Sequence, residues 1–275
     1  MKIYPLYSSS SGNLFCLEDN NTNILIDVGV SYKNIVSALK GINKSFDDID
    51  GILITHEHSD HCKGINLIAK KHNSIPIYTC SGTKTVITKN FNDKGITDNI
   101  VPIKYNELFN IANLNITAFK TSHDALEPCG FNINNGDKTF SLITDSGFVD
   151  DNILSYLYNS DYIVLESNYD KVMLEYGNYP FKLKSRIKSD FGHLSNDDAS
   201  DIIINVLENS NKDYTSFLIS HLSYNNNTLD VAKYTIFDNL NNYINSNIDK
   251  TNKDIKDSYS INFASRDMSF EEYEI

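Results

Sequence analysis

The sequence predicts an α/β layered fold in a single domain covering residues 1–275. Three observations predict it. Short apolar β runs alternate with helix-like stretches along the chain. No Pro- or Gly-rich linker divides them. The residues richest in chemistry fall just past the ends of apolar strands, where the loops of a layered α/β protein converge on one edge.

Lys2 to Leu6, Leu14 to Leu17 and Asn23 to Val28 read as an antiparallel β start, with Glu18-Asp19-Asn20-Asn21 as a turn. Tyr32 to Leu39 is helix-like. Ile49 to Thr55 is an apolar strand that runs straight into His56-Glu57-His58-Ser59-Asp60-His61. Gly64 to Lys71 resumes a helix, with Ile65, Ile68 and Ala69 on one face, and Ile75 to Tyr78 is a short strand. Leu114 to Phe119 alternates and ends near His123. Phe131 to Ile133 and Thr139 to Thr144 read as a hairpin across Asn135-Gly136-Asp137. Leu154 to Tyr158 is helical, and Tyr162 to Leu165 is a strand ending at Glu166. Ser195-Asn196-Asp197 caps a helix over Ala199 to Glu208. Phe217 to Ile219 is a strand ending at His221, Leu229 to Leu240 is helical, and Ser260 to Phe263 is a last strand.

With 40% apolar and 22% charged residues, the composition is that of a soluble globular protein. Met1-Lys2-Ile3-Tyr4-Pro5 carries no signal-peptide pattern, and no apolar run approaches the about 18 residues that span a bilayer. Cys16, Cys62, Cys80 and Cys129 form no C-x-x-C and read as reduced thiols. A cytoplasmic location without a membrane partner is expected; the oligomeric state is left open. The net charge of −12 makes a generic polyanion binder a poor reading, because phosphate contacts need Lys and Arg. Any nucleic-acid substrate then depends on a local basic patch and on bound cations.

Three of the seven histidines lie within six residues, His56, His58 and His61, with Asp60 among them. In a loop at a strand end these side chains turn toward a common point. Imidazole suits Zn, Mn or Fe, and a carboxylate adds a harder ligand. A metal pair is a hydrolytic device. The helical H-E-x-x-H pattern fails because position 60 is Asp, and the zinc-deaminase pattern fails because Pro128-Cys129 has no second Cys three residues on. His72, in Lys70-Lys71-His72-Asn73, reads as a solvated helix end. Cys62, directly after His61, is expected to make the region sensitive to oxidation.

His56-Glu57-His58-Ser59-Asp60-His61 resembles the H-x-H-x-D-H signature of the metallo-β-lactamase-fold superfamily. The later elements of that signature match Thr121-Ser122-His123-Asp124, Leu142-Ile143-Thr144-Asp145-Ser146-Gly147 and Leu218-Ile219-Ser220-His221-Leu222-Ser223. The resemblance implies a four-layer αβ/βα sandwich: two mixed β-sheets flanked by helices. It implies two divalent metal ions (Zn, Mn or Fe), with His56, His58 and His123 on one, Asp60, His61 and His221 on the other, and Asp145 bridging. Leu165-Glu166-Ser167-Asn168-Tyr169-Asp170, Gly192-His193-Leu194-Ser195-Asn196, His221-Leu222-Ser223-Tyr224-Asn225-Asn226-Asn227 and the loop Ser8 to Asn13 further resemble the YycJ/WalJ group of that superfamily. Members of the group are described as metal-dependent DNA exonucleases acting from 5′ ends, and are more distantly similar to RNase Z.

That resemblance implies phosphodiester hydrolysis of DNA by a metal-bridging hydroxide, with Asp60, His193 and Glu166 in the catalytic set. His193 would protonate the leaving oxygen, and Glu166 would fix its tautomer and charge. The plainer readings are a loop histidine before a helix cap and a strand-end ion pair. Ser10, Ser11 and Asn13 read as phosphate contacts or as a polar turn. Lys184 and Arg186, within Phe181 to Lys188, read as a guide for a nucleic-acid backbone or as a solvated face. Asn226 and Asn227 read as substrate contacts or as turn residues. The span from His123 to Asp145 has room for a hairpin and none for the RNase Z arm, and the chain has no room for a β-CASP domain. A class B β-lactamase is disfavoured because no signal peptide is visible, and a flavodiiron protein because His58 is intact. The alternative is a small-molecule hydrolase of the same fold: a thioesterase, a lactonase or a cyclic-nucleotide phosphodiesterase. A non-catalytic binding protein is disfavoured because the ligand set is complete.

Overall fold

The computed structural model describes residues 1–89, 98–247, 255 and 257–275. They part into two compact units. Two mixed β-sheets of seven strands each, flanked by helices, make up the fold, as the sequence leads one to expect.

The first unit comprises Met1–Lys120, Ala125–Lys138 and Ser265–Ile275. Strands β1 (Lys2–Ser9), β2 (Gly12–Asp19) and β3 (Thr22–Ile26) form an antiparallel ladder. Helix α1 (Tyr32–Gly41), capped by Ser31, leads to β4 (Gly51–Leu53), which joins β3 in parallel. The one-turn helix α2 (Ser59–Cys62) and helix α3 (Ile65–Lys71) follow. Strand β5 (Ile77–Cys80), helix α4 (Ser81–Lys89) and strand β6 (Ile100–Ile103) extend the parallel part. Ile35, Ala38 and Leu39 of α1 and Ile65 and Ile68 of α3 bury against Leu25, Ile52 and Ile54. That apolar stripe at helical spacing is what the sequence pattern foretells.

The expected strand over Ile49 to Thr55 shrinks to three residues for a chemical reason. Ile49 closes a 3-10 turn onto Phe46, and the Thr55 N–H leaves the ladder to donate to the Asp27 carboxylate at 2.9 Å. Strands β7 (Leu108–Ile111), β8 (Leu114–Lys120) and β9 (Cys129–Asn134) form a separate antiparallel ladder in this unit. The expected turn after it is present: Gly136 has φ +97°, and the Asn135 side-chain oxygen accepts from the Asp137 and Lys138 N–H groups.

The second unit comprises Thr121–Asp124 and Thr139–Ala264. Strands β10 (Thr139–Ile143), β11 (Tyr162–Glu166), β12 (Thr215–Ser220) and β13 (Tyr259–Phe263) lie parallel in that order. The inner strands read as continuous apolar runs because both faces are buried. Around them run α5 (Asp151–Leu157), α6 (Lys171–Tyr176), α7 (Phe181–Ile187), α8 (Asn196–Asn209) and α9 (Leu229–Asn247). Ser195 caps α8 as expected, in a capping box with Asp198. A short last strand, β14 (Tyr273–Glu274), pairs with β1 in the first unit. The short elements α4, α6, α7, β6, β7 and β14 were not expected from the sequence. Among the described residues no helix is long and apolar enough to cross a membrane.

One backbone crossing fixes the histidine turn. Val28 N–H donates to the His61 carbonyl, Gly29 N–H to the Asn13 carbonyl and Gly64 N–H to the Val28 carbonyl, each at 2.8 Å. A Cβ on Gly29 would lie 1.6 Å from the Asp60 carbonyl oxygen, so backbone meets backbone there with no room for a side chain. Gly29→Ala is expected to lower stability by about 1–3 kcal/mol. A urea unfolding midpoint equal to wild type would show that the 58–62 turn moves aside freely.

Candidate active site

In the first unit, His56, His58, Asp60 and His61 come together. His58 precedes α2, and its carbonyl accepts from the N–H groups of His61 and Cys62, each at 3.0 Å. This one turn brings His61 back beside His56. The ring centroids of His56 and His61 are 4.2 Å apart, and those of His56 and His58 are 4.6 Å apart. Asp60 Oδ2 lies 3.6 Å from His61 Nε2.

A residue that the sequence pattern did not single out holds this group in place. Asp27, fully buried past the end of β3, accepts from Thr55 N–H at 2.9 Å and from His61 Nδ1–H at 2.7 Å. Thr55 Oγ1 donates to the same carboxylate at 3.0 Å and sits 3.0 Å from His56 Nδ1, whose N–H it can accept. The Nδ1 of both rings is thereby committed, which assigns the protons from the network and leaves Nε2 with its lone pair. The only trace of Asp27 in the sequence is a carboxylate closing an apolar run.

In the second unit, the parallel register sets Glu166 beside Ser220, so Asp145, Glu166 and His221 share the C-terminal edge of β10, β11 and β12. His193 arrives on the loop between α7 and α8. Ligand atoms of Asp145, Glu166, His193 and His221 all lie within 4.8 Å of one another. Glu166 Oε1 accepts from His193 Nδ1 at 2.7 Å and from His221 Nδ1 at 2.8 Å. Its Oε2 accepts from the Ser146 and Leu194 N–H groups at 3.1 and 3.4 Å. Asp145 stands 3.5 Å from His193 Nδ1, 3.6 Å from His221 Nε2 and 3.6 Å from His123 Nε2. His123 Nδ1–H donates to the Gly192 carbonyl at 3.0 Å.

Burial works to raise the Glu166 carboxyl, but the neighbouring His193 charge and the hydrogen bonds from His193 and His221 outweigh it and hold it below its ordinary value. The stability this contributes is in place above the ordinary carboxylate range and is lost as pH falls through the lowered value.

The three motifs read separately in the sequence form one buried amide network. Asn168 Nδ2 donates to the His221 carbonyl at 3.0 Å. Asn227 Nδ2 donates to the Ser167 carbonyl at 3.0 Å and to Asn196 Oδ1 at 2.8 Å, and Ser167 Oγ donates to that same Oδ1 at 2.6 Å. Ser167, Asn168 and Asn196 were missed as positioning residues because their partners are far apart in sequence.

Several expected substrate contacts are corrected. Asn226 and Asn227 are buried at 1% and 0% exposure, and Asn227 spends its amide on this network. Asn13 is fully buried, donates to the Ser9 carbonyl at 3.1 Å and faces His61 Nε2 at 3.1 Å. Ser10 and Ser11 do lie exposed at the β1–β2 turn. Part of the basic run is engaged within its own unit: Lys184 Nζ donates to the Glu175 carbonyl, Lys188 pairs with the Glu175 carboxylate, and Arg186 grips Asp124 through two nitrogens. The Cys62 thiol donates to the Glu57 carbonyl, and burial pushes its pKa up to about 12, so the expected oxidation sensitivity is not supported.

The family description "Beta-lactamase superfamily domain" matches residues 22–206. The chain is 37% identical over 237 residues to exodeoxyribonuclease WalJ of Streptococcus pneumoniae, covering 86% of each chain. It is 32% identical to exodeoxyribonuclease YycJ of Bacillus anthracis, covering 84% of this chain and 86% of that one. The chain belongs to the metallo-β-lactamase superfamily, in the WalJ/YycJ group. Its fold matches the solved metallo-β-lactamase fold protein YhfI of Bacillus subtilis with a TM-score of 0.69 over 99% of both chains, at 14% identity.

The donor sets of this superfamily member fit divalent metal ions. His61, His123 and His221 each commit Nδ1 to an oxygen acceptor, the arrangement by which an outer partner orients a metal-ligating imidazole. Asp27→Ala should therefore lower metal affinity about 10- to 100-fold, read by zinc titration against a chromophoric chelator. An affinity equal to wild type would remove Asp27 from this role.

Proposed function

We propose that this chain is a divalent-metal-dependent phosphodiesterase that degrades DNA as a 5′ exonuclease, with Zn, Mn or Fe as its ions. The observation that carries the reading is the Glu166 carboxylate shared by two imidazoles. Its Oε1 accepts from Nδ1 of His221 and from Nδ1 of His193. The match to relatives named exodeoxyribonuclease supports the choice of substrate.

The residues proposed to hold the ions are His56, His58, Asp60, His61, His123, Asp145 and His221, with Asp145 shared. When bound, such ions activate water and neutralise phosphate charge. Asp60 belongs to the catalytic set through that ligand role. His193, with its Nδ1 proton directed to Glu166, presents Nε2 as the group that hands a proton to the leaving oxygen. Asn168 holds the His221 backbone while Glu166 holds its ring, so the strand-end loop cannot swing the imidazole away.

One observation favours the second reading, a small-molecule hydrolase of the same fold. Arg186 and Lys188 are paired with carboxylates of their own unit, which lowers the positive charge this stretch offers to a long polyanion.

The deciding experiment is degradation of 5′- and 3′-labelled DNA oligonucleotides with Mn²⁺ or Zn²⁺. Stepwise loss from the 5′ end is expected for the wild type. His193→Ala should cut DNA about 10²–10⁴-fold more slowly with its metal content intact. It should lose far less on a p-nitrophenyl phosphodiester, whose leaving group departs without a proton. Asp145→Ala should lose bound metal, measured by plasma mass spectrometry, together with nearly all activity. Absence of DNA cleavage under any metal would transfer the assignment to the small-molecule reading, and full metal retention in Asp145→Ala would refute the shared-ligand role.

A further inference from the structure

Three segments of the second unit are laced together beside His193. Ser122 N–H donates to Ser146 Oγ at 3.1 Å, and Gly147 N–H donates to the Ser122 carbonyl at 2.8 Å. Ser122 Oγ donates to the Asp190 carbonyl at 2.6 Å, and Asp124 N–H donates to the Phe191 carbonyl at 3.1 Å. Gly147 lies against the Asp190 backbone so closely that a Cβ there would be 2.3 Å from the Asp190 carbonyl carbon. Ser146 Oγ, in turn, donates to the Phe148 carbonyl at 2.6 Å.

The residues next to that crossing are both phenylalanines, and both are open to solvent. Phe148 follows Gly147 with 44% of its surface exposed, and Phe191 follows Asp190 with 60% exposed. The same two segments meet a second time through their other ends, where Asp145 stands 3.5 Å from His193 Nδ1. Phe191 is two residues from His193, a reach of at most about 7 Å along the chain. The aromatic pair and the reacting groups therefore share one rigid scaffold. Leaving two phenyl rings in water on hydrogen-bonded loops gives up the stabilisation their burial would supply and leaves their faces open to a ligand.

We propose that Phe148 and Phe191 form a stacking platform for unpaired nucleobases of the DNA strand next to the scissile phosphate. The proposal rests on the nuclease reading above and names how that site grips its substrate. Aromatic faces suit this task because every base has a π-face, so the grip is independent of sequence. It also supplies affinity that Arg186 and Lys188, already paired with Asp124 and Glu175, do not. The ligand class is single-stranded DNA: a base within a duplex is already stacked and offers the platform no face.

The test measures binding of a fluorescein-labelled ten-nucleotide phosphorothioate strand, with an abasic strand of equal length beside it, by anisotropy on the metal-loaded protein. The double variant Phe148→Ala/Phe191→Ala should bind the base-bearing strand about tenfold more weakly or worse, and the abasic strand as the wild type does. Phe191→Trp should bind as tightly as wild type or better, and Phe148→Leu/Phe191→Leu, which keeps the bulk without the π-face, should resemble the alanine variant. Equal affinity of wild type and both double variants for the base-bearing strand overturns the platform. Equal weakening on both strands overturns it too, since that is the signature of a disturbed loop. A wild type that does not prefer the base-bearing strand overturns it as well. Cleavage of the same sequence with an ordinary backbone, followed in parallel, reports on the nuclease reading by itself: cleavage with no effect of the variants sinks the platform alone.

Discussion

A buried carboxylate that orients an imidazole recurs in each unit, and the proposed chemistry of the chain depends on it. Asp27 does this for His61, and Glu166 does it for His193 and His221; both acids are fully buried. Removing a carboxylate from water costs several kcal/mol unless its lone pairs are filled. Each of these is filled. Asp27 accepts from one backbone N–H, one hydroxyl and one imidazole; Glu166 accepts from two backbone N–H groups and two imidazoles. The surrounding structure exists in large part to deliver these donors, and the early end of β4 at Leu53 is one local consequence.

Strand ends carry a second constraint. Asp27, Asp145 and His221 have φ of 58°, 56° and 58°, left-handed values that are uncommon for residues with a side chain. Each follows the C-terminal end of a strand: β3, β10 and β12. Such a conformation costs about 1 kcal/mol or more and persists only where its surroundings over-determine it. Here the chain leaves the sheet abruptly while the side chain stays at the edge, held by Glu166, Asp145 or His61 contacts. Two of the proposed site residues, Asp145 and His221, and the Asp27 that orients His61 thus carry this strain, which limits how freely these loops can relax when one partner is removed.

What was legible in the sequence follows from how local each signal is. His56, His58, Asp60 and His61 fall within one turn and were readable from their spacing alone. His123, Asp145 and His221 were singled out by their match to the superfamily signature, each placed just past an apolar strand. Asp27 was hidden because its partners, Thr55 and His61, lie far along the chain and an acid after a strand has many uses. For Asn226 and Asn227 the sequence left substrate contact and turn both open, for the opposite reason. Polar residues beside a site suggest a substrate, whereas the structure uses Asn227 to join Ser167, Asn168 and Asn196 into one clamp. Composition could not separate those roles, since an amide that binds a phosphate and an amide that binds a carbonyl look alike in a sequence.

The acidic charge and the partly engaged basic run together narrow the physics of substrate capture. A protein that binds DNA through many free cations gains affinity from released counterions, and its binding falls steeply with salt. In this chain Arg186 and Lys188 are matched by Asp124 and Glu175, and the net charge is −12. On the nuclease reading, attraction for the phosphate would come from the divalent ions these residues hold. The rest of the grip then falls to contacts without charge, such as aromatic faces. That division suits an enzyme working at a strand end: a few strong local contacts hold one nucleotide step, and a weak long-range field lets the product strand slide on.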